Sequence, residues 1–366
     1  MTELFHSDSI KLDIISISYL TVKQMPKLSF KPKQVTKKIL SPLSPRAHEV
    51  IFYRYGLGDD AERRTLESIG QKYNFTRERV RQIENAALAT LRKSDVYKEH
   101  EYVFTELHEF MKELGSVVAE EDLLNHASPD ENTQNHINFY LVLGDAFTKH
   151  KEDEHFRARW SVDSDIADEV HDALKRMYTK LTDDELVPEG KFIEDFLAEL
   201  KNISNELLNE EIARRWLNIS KRMGKNPFNE WGQSDSSNVK VRGVRDYAYL
   251  VMRKHGSPLH FREIADSITK LFNRKTHVAT THNEVIKDKR FVLVGRGTYG
   301  LADWGYRKGV VRDVIKSILK ESGPLSKDDI VYRVLKERFL KRNTILVNLQ
   351  NPKYFKKMKN GLYTVA

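Results

Sequence analysis

The sequence predicts a mainly α fold class: a multi-domain array of helix-turn-helix and winged-helix units with short β-hairpin wings. Three observations predict it. The stretch Thr65–Lys93, TLESIGQKYNFTRERVRQIENAALATLRK, carries apolar residues at three- and four-residue spacing on both sides of a tight bend. Two later stretches, VRDYAYLVMRKHGSPLHFREIADSITKLF from Val244 and VRDVIKSILKESGPLSKDDIVYRVLKERF from Val311, line up with one another and each runs on into a strand-turn-strand pattern. Charge also comes in blocks. Residues 1–20 hold 1 Lys or Arg against 3 Asp and Glu, 21–93 hold 16 against 7, 94–239 hold 16 against 32, and 240–366 hold 28 against 11. With 366 residues, 40% of them hydrophobic, there is material for several domains with real cores.

Residues 1–42 read as an N-terminal extension. Its apolar run Asp13–Val22 (DIISISYLTV) is too short to span a bilayer and shows no basic leader or cleavage signal. Lys31–Lys38 (KPKQVTKK) is expected to be a flexible basic linker.

Residues 43–94 form the first helix-turn-helix. Leu66, Ile69 and Tyr73 give one buried face, and Val80, Ile83, Ala87 and Leu91 the other. Gly70 lets backbones approach where the helices meet, Asn74 suits a turn position of positive φ, and Thr76 can cap the second helix. With Val80 and Ile83 buried, Arg77, Glu78, Arg81 and Gln82 share the opposite face. Arg can fork onto guanine, Glu can accept from cytosine, and Gln can pair with adenine, and a recognition helix enters the major groove by such N-terminal residues. These four are the candidate base readers. Thr76 and Arg79 are candidate backbone contacts. A solvated face on an ordinary bundle helix would carry the same pattern.

RYGLGDD at Arg54–Asp60 followed by TLESIGQKYNFTRERVRQIE resembles the fourth conserved region of bacterial primary sigma factors, over about Leu43–Lys93. The resemblance implies reading of the upstream (−35) promoter hexamer through Arg77, Glu78, Arg81 and Gln82, and docking on the RNA polymerase β-flap. Ala86 and Ala89 stand where that family usually has basic residues that touch DNA or activators. Nothing like the aromatic-rich region that melts the −10 element accompanies the match. A complete promoter-opening sigma factor is therefore not the expectation.

Residues 241–306 and 307–366 show helix, Gly/Pro turn (Gly256–Pro258, Gly323–Pro324), helix, Thr-bearing third helix and hairpin, the order of a winged helix. With HFREIADSI and KDKRFVLVGRGTYGLADW, the first copy resembles the HARE-HTH domain and the related N-terminal domain of the RNA polymerase delta subunit, which implies a DNA or polymerase context. Gly295-x-Gly297-x-x-Gly300 fits a dinucleotide-binding motif in letters only, because no helix follows it; a hairpin turn is expected instead. Candidate DNA-backbone contacts are Arg274 and Lys275 before the third helix, Lys289, Arg290 and Arg296 around the first wing, and Lys341, Arg342, Lys356 and Lys357 around the second.

In the acidic middle, residues 95–162 repeat this order weakly, with Trp160 in the place held by Tyr363, and 163–240 form either a degenerate winged helix or a plain helical spacer. Gln233–Asn238 (QSDSSN) reads as a polar linker. Such a region would repel DNA, so it is expected to space the ends apart or to contact a protein.

Several chemistries are set aside. Without cysteine there is no disulfide, thiolate zinc site or cysteine nucleophile. His255/His260 and His277/His282 are five apart, off the metal-ligand spacing of a helix. No P-loop, G-x-S-x-G, kinase or nuclease-like acidic-plus-lysine pattern occurs. The expectation is therefore a non-enzymatic, cofactor-free, metal-free cytoplasmic protein of the nucleoid that binds double-stranded DNA and has no membrane association. The alternative is a polymerase adaptor that uses the sigma-like module on the β-flap, and a subunit of a DNA-cleaving or modifying system comes third.

Overall fold

The computed structural model describes residues 28–366, so the Asp13–Val22 run lies outside the described residues. The chain is mainly α with small antiparallel sheets, and it divides into two compact units. The first comprises the chain up to Asp153 with Arg157–Val170 and Asn202–Ile219; the second comprises Glu154–Phe156, His171–Lys201 and Ser220–Ala366. Among the described residues no helix is long and apolar enough to cross a membrane.

The first unit opens with α1 (Pro32–Ile39), α2 (Pro45–Tyr55), α3 (Leu66–Tyr73) and α4 (Arg77–Lys93). Lys31–Lys38 is thus not a linker. Pro32 stands at a helix start, where its missing N–H costs nothing, and Val35, Thr36 and Ile39 on one face are buried. Four lysines hid that short apolar stripe in a composition-based reading. After α5 (Asp95–Glu99) come α6 (Glu101–Glu113), β1 (Val117–Ala119), α7 (Glu120–Ala127), α8 (Glu131–Leu143), β2 (Thr148–His150) and β3 (Arg159–Ser161), whose strands pair in the order β1-β3-β2. A continuous core from Phe30 to Trp160 joins α1, α2 and α4 to α6 and α8.

The chain continues through α9 (Ser164–Lys180), β4 (Val187–Pro188), α10 (Glu189–Glu199), α11 (Glu210–Ile219), β5 (Met223–Lys225) and β6 (Glu230–Gln233), with strand order β4-β6-β5. Two further copies of the pattern follow. The first has α12 (Val244–His255), β7 (Leu259–His260), α13 (Phe261–Phe272), α14 (Val278–Lys287), β8 (Phe291–Gly295) and β9 (Thr298–Leu301), in the order β7-β9-β8. The second has α15 (Val311–Ser322), α16 (Lys327–Glu337), α17 (Arg342–Leu349), β10 (Phe355–Lys357) and β11 (Tyr363–Val365).

The same pairing recurs in all four sheets: an aromatic residue of the last strand faces the apolar residue that leads into the second helix. Trp160 pairs with Val118, Trp231 with Val187, Tyr299 with Leu259, and Tyr363 with Leu325. In the repeated Val-Arg-Asp starts, Asp246 accepts the Gly243 N–H at 3.0 Å and Asp313 the Val310 N–H at 3.1 Å, so each carboxylate satisfies an orphan donor of its helix N-terminus.

Gln233–Asn238 is not a free linker. Asn238 is buried, donates to the Asp184 carbonyl at 3.2 Å and accepts from Arg290. A polar composition does not by itself make a loop mobile when its side chains find buried partners.

Candidate nucleic-acid interface

The first unit presents α4 through a turn built by three local devices. Thr65 caps α3 by accepting the Ser68 N–H at 3.1 Å, Asn74 closes α3 at φ 56, and Thr76 caps α4 by accepting the Arg79 N–H at 3.2 Å. Gly70 is required more tightly than the sequence suggested. A Cβ there would stand 2.5 Å from the carbonyl oxygen of Phe75, so the close approach is to the turn itself. Behind the turn a small core of Val50, Ile69 and Val80, flanked by Tyr53, Leu66, Tyr73, Phe75 and Ile83, fixes the angle between the helices. Arg46 lies 4.8 Å from the Tyr73 ring centre and 5.3 Å from that of Phe75, over the outside of the turn.

Arg77, Glu78, Arg81 and Gln82 are all exposed on the first turns of α4. They are not four independent groups. Arg81 grips Glu78 in a two-pronged ion pair at 2.7 and 2.8 Å, and Arg79 donates to the Gln82 carbonyl oxygen at 3.3 Å. The Arg81 guanidinium holds the Glu78 carboxyl below the usual carboxylate range. Contact with bases by either member of the pair therefore requires the fork to open or to act as one unit, whereas Arg77 is free to extend. Ala86 and Ala89 are also exposed, so the face beyond Gln82 carries no charge until Arg92.

The sequence reading missed the fixtures that hold this module. Glu84, one turn after Arg81, is buried, accepts from the Tyr55 hydroxyl at 3.0 Å and lies 3.5 Å from Arg54. Burial, reinforced by the Glu84 charge, raises the Tyr55 hydroxyl far above its ordinary range. The loop Gly56–Arg63 is clamped from α8. Asn135 donates to the carbonyls of Gly56 at 3.0 Å and Ala61 at 2.8 Å and accepts from Arg63, while Asn132 donates to Gly58. His136 bonds Thr36 at 2.9 Å, which in turn bonds Tyr140. A signal for this was available: Asn132 through Leu141 is buried almost throughout, with no polar face, which marks a helix packed on all sides.

In the second unit the candidate backbone contacts divide. Arg274 and Lys275 are exposed in the turn between α13 and α14, Arg296 lies at the β8–β9 tip, and Lys289, Lys341, Lys356 and Lys357 are exposed. Arg342 is exposed but ion-paired with Asp328. Arg290 differs from the expectation: its guanidinium bonds Asp246 at 2.8 Å, Asp288 at 2.7 Å, Ser237 and Asn238, so it ties α12 to the loop before it and has little left for a ligand. The Gly295–Gly300 run is a hairpin, with Gly297 at φ 72 in the turn and Gly300 against the Tyr306 ring.

A capped two-helix turn presenting Arg, Glu, Arg and Gln from the start of its second helix defines the helix-turn-helix class of DNA-binding modules. Comparison with known proteins then makes the assignment particular. Residues 39–93 match the family model described as sigma-70, region 4, and residues 243–304 match the HARE-HTH model, whose description is that of a restriction endonuclease HTH domain. The RNA polymerase sigma factor SigA of Nostoc sp. is 52% identical over 67 residues, 18% of this chain and 17% of that protein. SigA of Clostridium acetobutylicum is 52% identical over 60 residues, 16% of each chain, and RpoD of Helicobacter pylori is 50% identical over 60 residues, 16% of this chain and 9% of its own. The chain thus spans less than a fifth of the length of these relatives, and the likeness is that of one sigma-like DNA-binding module.

Proposed function

We propose that the chain is a sequence-specific DNA-binding transcription factor of sigma-like descent. Arg77, Glu78, Arg81 and Gln82 read a short promoter element, and Thr76 and Arg79 contact the adjoining backbone. Arg274, Lys275, Lys289, Arg296, Lys341, Arg342, Lys356 and Lys357 hold phosphates from the winged-helix half. The observation that carries the proposal is the exposed set of base-matching side chains on the first turns of a helix whose cap, turn and loop are all fixed. The similar proteins are named as RNA polymerase sigma factors, so core RNA polymerase is proposed as a second partner, met at the β-flap, with the acidic residues 94–239 available to a further protein. This activity belongs with the nucleoid in the cytoplasm. Promoter opening is not included, because the matched stretch is region 4.

Selection of random duplexes with the full chain and with Gln82→Ala tests the proposal. The wild type is expected to enrich a −35-like motif, and the variant to relax one position of it, since a bidentate contact discriminates by about 1–3 kcal/mol. Identical motifs for the two proteins would remove Gln82 from the reading. No motif at all, with binding lost steeply in salt, would favour the polymerase adaptor.

A further inference from the structure

Several basic side chains of α9–α11 are neutralised where they stand, as Arg176 and Lys180 are by Glu199 and Lys191 is by Asp195. One place in the second unit is different. Around the ring of Tyr354 the Arg312 guanidinium carbon lies 5.1 Å, the Lys316 ammonium 4.8 Å and the Lys353 ammonium 5.8 Å from the ring centre, and Arg312 also donates to the Tyr354 hydroxyl at 3.2 Å. Among the described residues neither Lys316 nor Lys353 has a carboxylate partner. Asp313, 3.6 Å from Arg312, is engaged in capping α15.

We propose that Arg312, Lys316 and Lys353, gathered on Tyr354, form a binding site for the phosphodiester backbone of nucleic acid. The site rests on the DNA-binding reading above and adds to it three contacts, two of them on the first helix of the last winged-helix unit. These residues lie outside both stretches that match a family.

Three cations set this close repel one another, and the electron-rich ring face offsets only part of that repulsion. An anion that bridges them relieves the remainder. The cluster is held in place without a ligand. Arg312 and Lys316 are one turn apart on α15, whose Val314 and Ile315 are fully buried, and Tyr354 is tied by its N–H to Asn351 and by its carbonyl to the Ala366 N–H beside buried Phe355. A guanidinium fork next to two ammonium groups suits a tetrahedral oxyanion with several acceptors. Lys356, Lys357 and Lys359 extend the positive charge along the adjoining hairpin, so the ligand that fits is a chain of phosphates rather than a single anion.

The test measures anisotropy of a labelled random-sequence duplex, and of a single strand of the same length, with the full chain over a range of salt. Arg312→Gln/Lys316→Gln/Lys353→Gln is compared with Lys270→Gln/Lys320→Gln/Lys327→Gln, which removes the same charge from exposed positions elsewhere. The cluster variant is expected to bind more weakly, with a log–log salt slope shallower by about 0.9 for each duplex phosphate that is no longer neutralised. The control should keep its slope. If only duplex binding falls, the backbone is that of the double helix; if both fall, either strand form is held. An unchanged slope in the cluster variant, or an equal fall in the control, overturns the proposal. Should the triple variant misfold, Lys316→Gln alone must still make the slope shallower by about 0.9, the value of a single phosphate. Because the probe has random sequence, failure here is separate from failure of base reading at α4, which shows only as disappearance of the selected motif.

Discussion

Replacing Asn135 by alanine should loosen the sigma-like module without touching any residue that faces DNA. Asn135 is 1% exposed and makes three hydrogen bonds to the α2–α3 loop: two donated to the Gly56 and Ala61 carbonyls and one accepted from the Arg63 guanidinium. Two neutral bonds and one charge-assisted bond, each with a net value near 1 kcal/mol and with their partners left buried, come to about 2–3 kcal/mol. The chain has more than one cooperative unit, so a single unfolding midpoint is a poor gauge. Amide exchange resolved by residue is the better assay. The N–H groups of Leu57, Ala61 and Arg64, which bond to Phe52, Gly58 and Tyr53, report the loop directly. Local opening made easier by about 2–3 kcal/mol accelerates their exchange roughly 30- to 150-fold. Amides of the second unit, such as Gly256, should exchange as before. Unchanged protection at Leu57, Ala61 and Arg64 would refute the claim that α8 fixes this loop.

Two further outcomes follow from the same unit. Burial, with Lys33 nearby, pushes His136 down to about 4. The unfolded chain takes up that proton near pH 6.5 and the folded chain only near 4, so stability declines as the pH falls through this window, by up to about 3 kcal/mol; denaturant titrations at about pH 7 and about pH 4.5 should show a drop that His136→Gln reduces, and an equal drop in the variant would refute the assignment. Gly70→Ala should place a methyl against the Phe75 carbonyl and destabilise the helix-turn-helix by about 1–3 kcal/mol, read as lowered protection at the Phe75 amide; an unaltered amide would mean that the turn relaxes freely.

The sequence alone determined those features in which cause and effect lie within a few residues. Thr65, Asn74 and Thr76 build the turn wherever they occur, because a cap needs only the next three amides and a positive φ needs only a tolerant residue. The exposed face of Arg77, Glu78, Arg81 and Gln82 follows from helical period once Val80 is buried. The repeat from Val244 and Val311 was visible as letters, and its shared Asp cap is a local device too. Even the Gly295–Gly300 run could be judged a hairpin from its neighbours.

Tertiary structure decided whatever depended on distant partners. Lys31–Lys38 becomes a helix because α8, about 100 residues later, supplies His136 and Tyr140 to meet Thr36. Arg290 is indistinguishable from its basic neighbours in sequence, yet it is withdrawn from any ligand by Asp246, 44 residues away, while Arg312 and Lys316 are brought to Lys353 by the packing of α15 against the last hairpin. Composition and period fix which side of an element is apolar. They do not fix which charged side chain finds a carboxylate and which is left to meet a phosphate, because that pairing is set by contacts formed only when the chain closes on itself.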